Sequence, residues 1–359
     1  MLEILRAWFR RYFSDPQAVL LLLILVIGFG IVLTFGHMLA PVLAAMVIAY
    51  LLEGVVRYFE RHGVRRLRAV ILVFGLFSAF MIFLLFGVIP LLSVQITQFL
   101  REVPHHLAVA QEKLLQLHQT YSFISEQQVQ EIMALLQKEI ATAGQRILTL
   151  SLASIPGFIT LLIYLILVPL LVFFFLKDKA RILAWLTAFL PEERSLASSV
   201  WQEMDQQLGN YVRGKFWEIF IVGTATWLAF AILGLKYAIL LAVLVGVSVL
   251  VPYIGAAVVT VPVAFVAYFQ FGWGSDFAVV MIVYGIIQAL DGNVLVPLLF
   301  SEVVNLHPVA IIVSVLFFGG LWGFWGVFFA IPLATLVNAV LCAWPVADRS
   351  RSAPCQSSS

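Results

Sequence analysis

Between Gln288 and Pro308 the sequence reads QALDGNVLVPLLFSEVVNLHP. Long apolar runs flank this segment on both sides, yet it contains two carboxylates, two asparagines and a histidine: Asp291, Glu302, Asn293, Asn305 and His307. Ionisable side chains are costly at membrane depth and are kept there mainly where function requires them. The segment is therefore the first place to look for a transport site.

The composition predicts a membrane protein. Of the 359 residues 63% are hydrophobic and 11% charged, whereas a soluble domain is about half apolar and about a quarter charged. We therefore expect an all-α polytopic membrane protein, with the lipid bilayer as a partner. The net charge of +2 and the lack of a basic block give no reason to expect nucleic acid. The two cysteines, Cys342 and Cys355, have no CxxC spacing, so neither a disulfide framework nor a metal site is predicted, and no cofactor.

The N-terminal part contains three apolar runs that we predict to be membrane spans: Gln17–Phe35, Met38–Leu52 and Ala69–Leu92. Arginines precede the first run as in a signal peptide, but the run is too long and lacks an Ala-x-Ala exit, so we expect it to remain uncleaved. Gly36-His37 predicts a tight turn after it. The arginine clusters within 6–11 and 57–68 should both be cytoplasmic by the positive-inside rule. The first two runs are therefore expected to form a transmembrane hairpin.

The segment 93–150 differs in kind, because it is rich in Gln, Glu and His, with apolar residues at helical spacing. This pattern predicts an amphipathic helical arm outside the bilayer, on the periplasmic side because it follows the third span. Two interpretations stay open. The arm is either a solvated helical hairpin that packs on its own protein, or a contact to neighbouring subunits.

Ile155–Leu176 is the predicted fourth span, and the basic cluster that follows it at 177–181 indicates a return to the cytoplasm. Pro191–Gln207 predicts a charged amphipathic helix near the cytoplasmic face, and Phe216–Leu233 is the fifth span.

The string GNYVRGKF at 209–216 matches the beginning of a phosphate-binding loop. Such a loop needs Ser or Thr where Phe216 stands, and a strand before it, so we expect neither nucleotide binding nor ATP-driven transport. The basic residues more simply mark the start of the fifth span. Arg213 and Glu218 are predicted to form a local charge pair there.

Two long apolar runs near the C-terminus, Leu240–Phe269 and Val309–Trp344, are each interrupted in the middle. The first is broken at Val251-Pro252-Tyr253-Ile254-Gly255 and the second within the glycine-rich stretch 319–326, and a proline follows each break, at Pro262 and Pro332. Each run also follows a span of ordinary length. A unit of one span and one interrupted hairpin therefore occurs twice.

Paired Gly/Pro-interrupted segments indicate a transporter binding site. A broken helix leaves backbone groups that a bilayer tolerates only where protein or water satisfies them. Half-runs of about 12 to 17 residues favour re-entrant hairpins over full spans, and re-entrance gives the two units opposite orientation, an inverted repeat. Full spans stay open as an alternative, as does close helix packing through Gly319-x-x-x-Gly323.

The candidate substrate- or ion-binding residues lie at these interruptions: Gln288, Asp291, Asn293, Pro252, Gly255, Pro297 and Gly323. Asp291 could be a coupling carboxylate, a substrate ligand or a helix N-cap. Gln288 lies one turn before it, so both can face one cavity. Asn293 could bind a substrate hydroxyl or cap broken backbone. Glu302 and His307 are expected to be structural caps at the cytoplasmic entrance.

The chain resembles the AI-2E transporter family in these features: the run 288–308 with its Asp291-Gly292, Pro297 and His307-Pro308, the Pro252-x-x-Gly255 pattern, and the glycine-rich 319–332. The resemblance covers nearly the whole chain. It implies an oligomeric inner-membrane protein with about eight transmembrane segments. Members are associated with export of the quorum-sensing signal autoinducer-2, and some with sodium/proton antiport. Because the family's substrates are mostly unassigned, fold transfers better than substrate.

The expected organisation has five parts: a transmembrane scaffold (1–92), the arm (93–150), the fourth span with its cytoplasmic helix (151–215), a transport core of two repeats (216–344) and a disordered tail (345–359). Both termini are expected in the cytoplasm of a bacterial inner-membrane homo-oligomer. The leading hypothesis is an exporter or permease of a small polar metabolite, such as an autoinducer-2-like signal, by alternating access. A cation/proton antiporter and a non-transport membrane scaffold are the alternatives. No HExxH, GxSxG or Cys/His cluster suggests an enzyme.

Overall fold

The computed structural model describes residues 16–120, 155–188, 195–252, 254–300 and 307–343, and single helical positions between 131 and 142. Within these ranges every regular element is a helix, which confirms the predicted class. Most of the arm beyond residue 120, the segment with Glu302, and the tail predicted to be disordered lie outside the described residues.

Thirteen α-helical segments are described: α1 Pro16–Arg61, α2 Arg66–Phe83, α3 Ile89–Thr120, α4 Ile155–Lys177, α5 Lys179–Ala188, α6 Ser195–Ile232, α7 Ala238–Ser248, α8 Ile254–Phe271, α9 Ser275–Leu290, α10 Val296–Phe300, α11 Pro308–Trp322, α12 Phe324–Phe328 and α13 Ala330–Ala343. Among the described residues, five stretches are long and apolar enough to cross a membrane: Met38–Arg61, Arg66–His106, Val200–Ile232, Ile254–Phe271 and Ser275–Phe300. The protein is a polytopic helical membrane protein.

Helix α1 continues without reversal through Gly36 and His37, so the predicted turn and the hairpin of the first two runs are wrong. Its 46 residues extend over about 69 Å. Pro41 lies buried inside the same helix. In an apolar environment a helix keeps its backbone bonds within the segment, so a glycine or a single proline does not by itself end it.

Helices α2 and α3 form one rod that contains a π-helical turn, Leu84–Val88. The N–H of Ile89 bonds to the carbonyl of Leu84, five residues back. The next residue is Pro90, which has no N–H and whose ring crowds the carbonyl four residues earlier. The helix therefore widens by one residue before the proline and then continues into the arm.

Basic residues from the two clusters at 57–68 and 177–181 surround one buried carboxylate, Glu53. Its oxygens lie 3.5 Å from Arg57 Nε, 3.2 Å from Arg66 Nη2 and 3.3 Å from Lys179 Nζ. Arg66 Nη2 also donates to the carbonyl of Leu176, 2.8 Å away, at the end of α4. The basic loop after α1 and the basic end of α4 therefore lie on one side of the molecule, and an apolar core formed by α1, α2 and α4 lies beside them.

The base of the arm, α3, is fixed to the turn between α6 and α7. Gln95 Oε1 accepts a 2.9 Å hydrogen bond from the N–H of Leu240. The Glu102 carboxylate accepts from Tyr237 and lies 4.0 Å from Lys236 Nζ. Burial, with the neighbouring Glu102, raises the pKa of Tyr237 to about 12, so its hydroxyl remains a donor. This part of the arm packs on its own protein; contacts to other subunits stay a prediction.

Helices α6 to α9 share a second apolar core, which packs around the first interrupted region, and a third core packs around the second. We call the interval between Ser248 and Ile254 the first break, and the interval between Trp322 and Ala330, which contains α12, the second break. The helices beside them are short: α7 has 11 residues, α11 has 15 and α13 has 14. At 1.5 Å per residue each is about 17–23 Å long, less than the hydrocarbon thickness of about 30 Å. Helix α8, with 18 residues, reaches spanning length.

Candidate functional site

Helix α6 carries a buried ion pair near the middle of its length. Lys215 and Glu218 stand one turn apart, and their side chains are 5% and 3% exposed. Lys215 Nζ lies 2.7 Å from Glu218 Oε2. Two charges removed from water at this depth are expensive unless each is paired and hydrogen-bonded.

The Lys215 ammonium is satisfied from three directions. Besides Glu218, it donates a 2.8 Å hydrogen bond to the carbonyl of Val249 in the first break. It also lies 5.2 Å from the centre of the Phe300 ring, within the range of a cation–π contact. Apart from the ammonium, Glu218 Oε2 has no hydrogen-bond partner among the described residues. The anion is therefore less well compensated than the cation.

Two of the sequence-predicted residues, Gln288 and Asp291, carry buried polar atoms near the end of α9. Asp291 opens a second π-helical turn, Asp291–Leu295, at the end of α9, and it interacts electrostatically with both Lys215 and Glu218. Asp291 Oδ1 and Gln288 Nε2 are buried and have no hydrogen-bond partner among the described residues. Unpaired buried polar atoms are rare and call for an explanation, such as a ligand or ion. We call Lys215, Glu218, Gln288 and Asp291 the buried charge cluster.

The cluster holds two carboxylates and one ammonium among the residues that the structure describes. Both carboxylates act on the same cation, Lys215, at a depth where an uncompensated charge is costly. A proton, a small cation or the donor groups of a polar solute would balance the excess. No group of three or more His, Cys, Asp or Glu side chains in the described ranges is arranged to hold a metal ion.

Two other predicted residues on this segment point elsewhere. Asn293 is exposed, and its Nδ2 donates to the carbonyl of Ala289 in the preceding turn, 2.8 Å away. Pro297 is exposed in α10 and acts through the backbone. Because Pro297 donates no N–H, the helix widens before it, and the N–H of Val296 bonds to the carbonyl of Asp291 five residues back.

Pro252 and Gly255 lie at the first break, as predicted from the sequence. Gly255 is buried, and a Cβ there would overlap the carbonyl of Ser248. Its N–H donates to the carbonyl of Val251, 2.9 Å away. Glycine is therefore needed for α8 to begin this close to the end of α7.

Gly323 opens the second break with φ +58° and ψ −132°, a conformation that favours glycine. Its N–H donates to the carbonyl of Gly319, 2.8 Å away, which ends α11. A Cβ on Gly319 would lie 2.8 Å from Val327 Cγ2, whereas a Cβ on Gly323 would meet nothing within 4 Å. The close-packing interpretation therefore fits Gly319 and not Gly323.

One cavity borders both breaks. Its volume is about 420 Å³, and it is lined by Ser248, Val251 and Gly255 from the first break and by Val327 and Phe328 from the second. Its walls are mostly apolar, and these lining side chains carry no charge.

The predicted pairing of Arg213 with Glu218 is wrong. Glu218 pairs with Lys215, and Arg213 Nη2 donates to Asn210 Oδ1, 2.8 Å away. A lysine and a glutamate three residues apart within an apolar helix share one face, and this spacing was the available signal. His307 does cap a helix, as predicted: its Nδ1 accepts from the N–H of Val309 at the start of α11.

The family model of AI-2E transporters matches residues 20–346 of the chain. The chain belongs to the AI-2E transporter family. It is 51% identical to the "Putative permease PerM" of Escherichia coli K12, over 96% of this chain and 98% of that protein. It is 27% identical to the "Putative transport protein YueF" of Bacillus subtilis, over 83% of this chain and 82% of its length. A "Putative transport protein" of Thermotoga maritima is 22% identical, over 91% of this chain and 94% of its length.

Proposed function

We propose that this AI-2E family protein moves a small polar solute across the bacterial inner membrane by alternating access at the buried charge cluster. The observation that carries the proposal is the buried Lys215–Glu218 pair with which Asp291 interacts, together with the unpartnered polar atoms of Asp291 and Gln288. Such groups inside a membrane protein are a functional-site hypothesis by default. The cluster also lies beside the first break, where broken helices of transporters bind substrate.

The proposed movement is that of two re-entrant hairpins, α7–α8 and α11–α13, related as an inverted repeat. The shortness of α7 and α11 supports re-entrance, and a parallel between the two breaks supports the repeat. A Cβ on Gly255 would overlap the carbonyl of Ser248, and a Cβ on Gly326 would overlap that of Phe318. The returning helix α8 of the first hairpin, and the short helix α12 in the second break, thus each lie against the last turn of the outgoing helix.

The substrate class follows from the chemistry of the cluster. Gln288 Nε2 is a donor without a partner, and Asp291 Oδ1 and Glu218 Oε2 are acceptors, which suits a small solute with several hydroxyl or carbonyl groups. An autoinducer-2-like signal fits this description, and we propose export as the direction. The protein would act as a homo-oligomer, with both termini cytoplasmic.

A second candidate function is cation/proton antiport, favoured by one specific observation. Asp291 and Glu218 both act on the single ammonium of Lys215. A proton or sodium ion that balances the excess carboxylate would leave the site when the other binds. A scaffold role, through the arm, is the non-transport alternative.

Reconstitution of the purified protein into liposomes tests these proposals. Uptake of small polar solutes and movement of protons or sodium are measured with and without an imposed proton gradient. Solute flux that Asp291→Asn abolishes supports the exporter, and ion flux without solute supports the antiporter. The scaffold role would be supported if wild-type vesicles show neither solute flux nor ion flux and the protein captures a partner in a manner that depends on the arm.

A further inference from the structure

The second break is tied to α6 by one side chain. Tyr211 is buried, and its hydroxyl donates a 2.9 Å hydrogen bond to the carbonyl of Phe328, the last residue of α12. In an uninterrupted helix this carbonyl would accept from the N–H four residues later, but that residue is Pro332, which has none. The Tyr211 hydroxyl thus satisfies a carbonyl that the sequence leaves without a backbone donor.

The first break is tied to the same helix in the same manner. Lys215 Nζ donates to the carbonyl of Val249, the residue that follows α7. Pro252, three residues on, cannot supply the N–H of a tighter turn to this carbonyl. A side chain of α6 again donates to a backbone carbonyl in a break.

The two contacts are one helical turn apart. Tyr211 and Lys215 are at i and i+4, so they share one face of α6. The Phe300 ring contacts both, 5.9 Å from the Tyr211 ring and 5.2 Å from Lys215 Nζ. Gly214 makes room for it, since a Cβ there would lie 2.7 Å from Phe300. A single turn of α6 therefore donates a hydrogen bond to each break, and this turn packs against Phe300 of α10.

We infer that Tyr211 and Lys215 are positioning residues that couple the two breaks, so that neither break opens independently of the other. Displacement of Phe328 frees Tyr211, and displacement of Val249 frees Lys215. Because Phe300 packs on both side chains, a shift of either side chain disturbs the packing of the other. The inference rests on the hairpin movement of the proposed function, but its test measures opening and needs no substrate.

The experiment uses the full chain in liposomes with both cysteines replaced, Cys342→Ser and Cys355→Ser. A single reporter cysteine is then placed at the first break, Ser248→Cys, or at the second, Val327→Cys. The rate of labelling by a small membrane-impermeant maleimide reports how often each break opens. A third reporter in the α1–α2–α4 core, Ala45→Cys, reports general loosening; Ala45 is fully buried.

Coupling is tested across the molecule. Tyr211→Phe removes the hydroxyl that holds the second break, and we expect it to speed labelling at the first break by about fivefold, the effect of one lost hydrogen bond. Lys215→Met should likewise speed labelling at the second break, and Lys215→Arg should restore the wild-type rate. The matched control on α6 is Thr226→Val, whose buried hydroxyl contacts neither break carbonyl and should change neither rate.

The inference would be overturned if Tyr211→Phe speeds labelling at the second break only and Lys215→Met speeds labelling at the first break only. Faster labelling of Ala45→Cys in Tyr211→Phe or in Lys215→Met would also overturn it, because the effect would then be general loosening. If the breaks are coupled but wild-type vesicles move no solute or ion, the inference holds and the proposed function fails.

Discussion

The ammonium of Lys215 lies 2.7 Å from the carboxylate of Glu218, and both side chains are at least nine-tenths buried. Removing one partner of such a pair leaves an isolated charge and costs about 3–5 kcal/mol. Replacing both partners with apolar residues of similar volume is often neutral or stabilising. This asymmetry separates a structural role from a functional one.

The double variant Lys215→Met/Glu218→Leu should therefore be more stable than either single variant, although it also loses the Lys215 contacts to Asp291 and to the Val249 carbonyl, and it should lose transport. Either single variant, Lys215→Met or Glu218→Leu, should unfold at a clearly lower temperature. Tm of the purified protein and flux in liposomes are the two measurements. Wild-type flux from a stable double variant would show that the pair serves the fold alone.

Asp291→Asn should reduce flux at least about tenfold, since a change of about 1.4 kcal/mol in site energy already gives that factor. The amide keeps the volume of the side chain and removes its charge. The matched control is Asp276→Asn, at the exposed start of the same helix, which should transport as wild type does. Equal losses of flux in the two variants would mean that the carboxylate of Asp291 has no specific role in transport.

Gln288→Leu and Asn293→Leu form a second comparison. Gln288 Nε2 is buried without a partner, whereas Asn293 is exposed and bonded to its own helix. We expect KM for the solute to rise in Gln288→Leu and to change little in Asn293→Leu. A larger effect at Asn293 would place the solute pathway on the opposite face of this segment.

Gly255→Ala and Gly326→Ala should both destabilise the protein, because the added Cβ would overlap a backbone carbonyl that cannot rotate away. Overpacking of this kind costs about 1–3 kcal/mol or more. Gly320→Ala is the control, since a Cβ there meets nothing within 4 Å. Unchanged Tm in the first two variants would show that the breaks relax easily.

Glu53→Gln should lower Tm, because it removes the carboxylate that Arg57, Arg66 and Lys179 share. The three cations are partly exposed, so we expect a loss of about 2 kcal/mol, less than for a fully buried pair. Glu60→Gln, which removes a more exposed contact to Arg66 alone, should cost under about 1 kcal/mol. A larger loss of stability in Glu60→Gln than in Glu53→Gln would show that Glu53 is dispensable.

The sequence predicted the helical membrane class and the positions of both breaks, because apolar length and Gly/Pro interruption are local properties of the chain. It did not predict α1, where Gly36-His37 resembles a turn. Whether a glycine ends a helix depends on whether water or another donor replaces its backbone bonds, and that depends on the surroundings. The charge rule then supported a hairpin that the helix does not make.

The candidate site was predicted in part. Gln288 and Asp291 were selected as candidates because polar residues are conspicuous in an apolar run. Lys215 was assigned to the membrane boundary, because basic residues before a span usually lie there. Its burial became visible only in the structure, where α6 is continuous from Ser195 to Ile232 and Lys215 and Glu218 lie inside the helix and not at its start.

The π-helical turn at Asp291–Leu295 also sets the direction in which side chains point. An α-helix rotates by about 100° per residue, so the nine steps from Asp291 to Phe300 would place these side chains on opposite faces, about 180° apart. The turn absorbs one residue, and the remaining eight steps leave them only about 80° apart. Asp291 and Phe300 therefore both face α6, one toward the charge pair and the other against Tyr211 and Gly214. The one extra residue in the π-helical turn thus brings the Asp291 carboxylate and the Phe300 ring to the same neighbouring helix, α6.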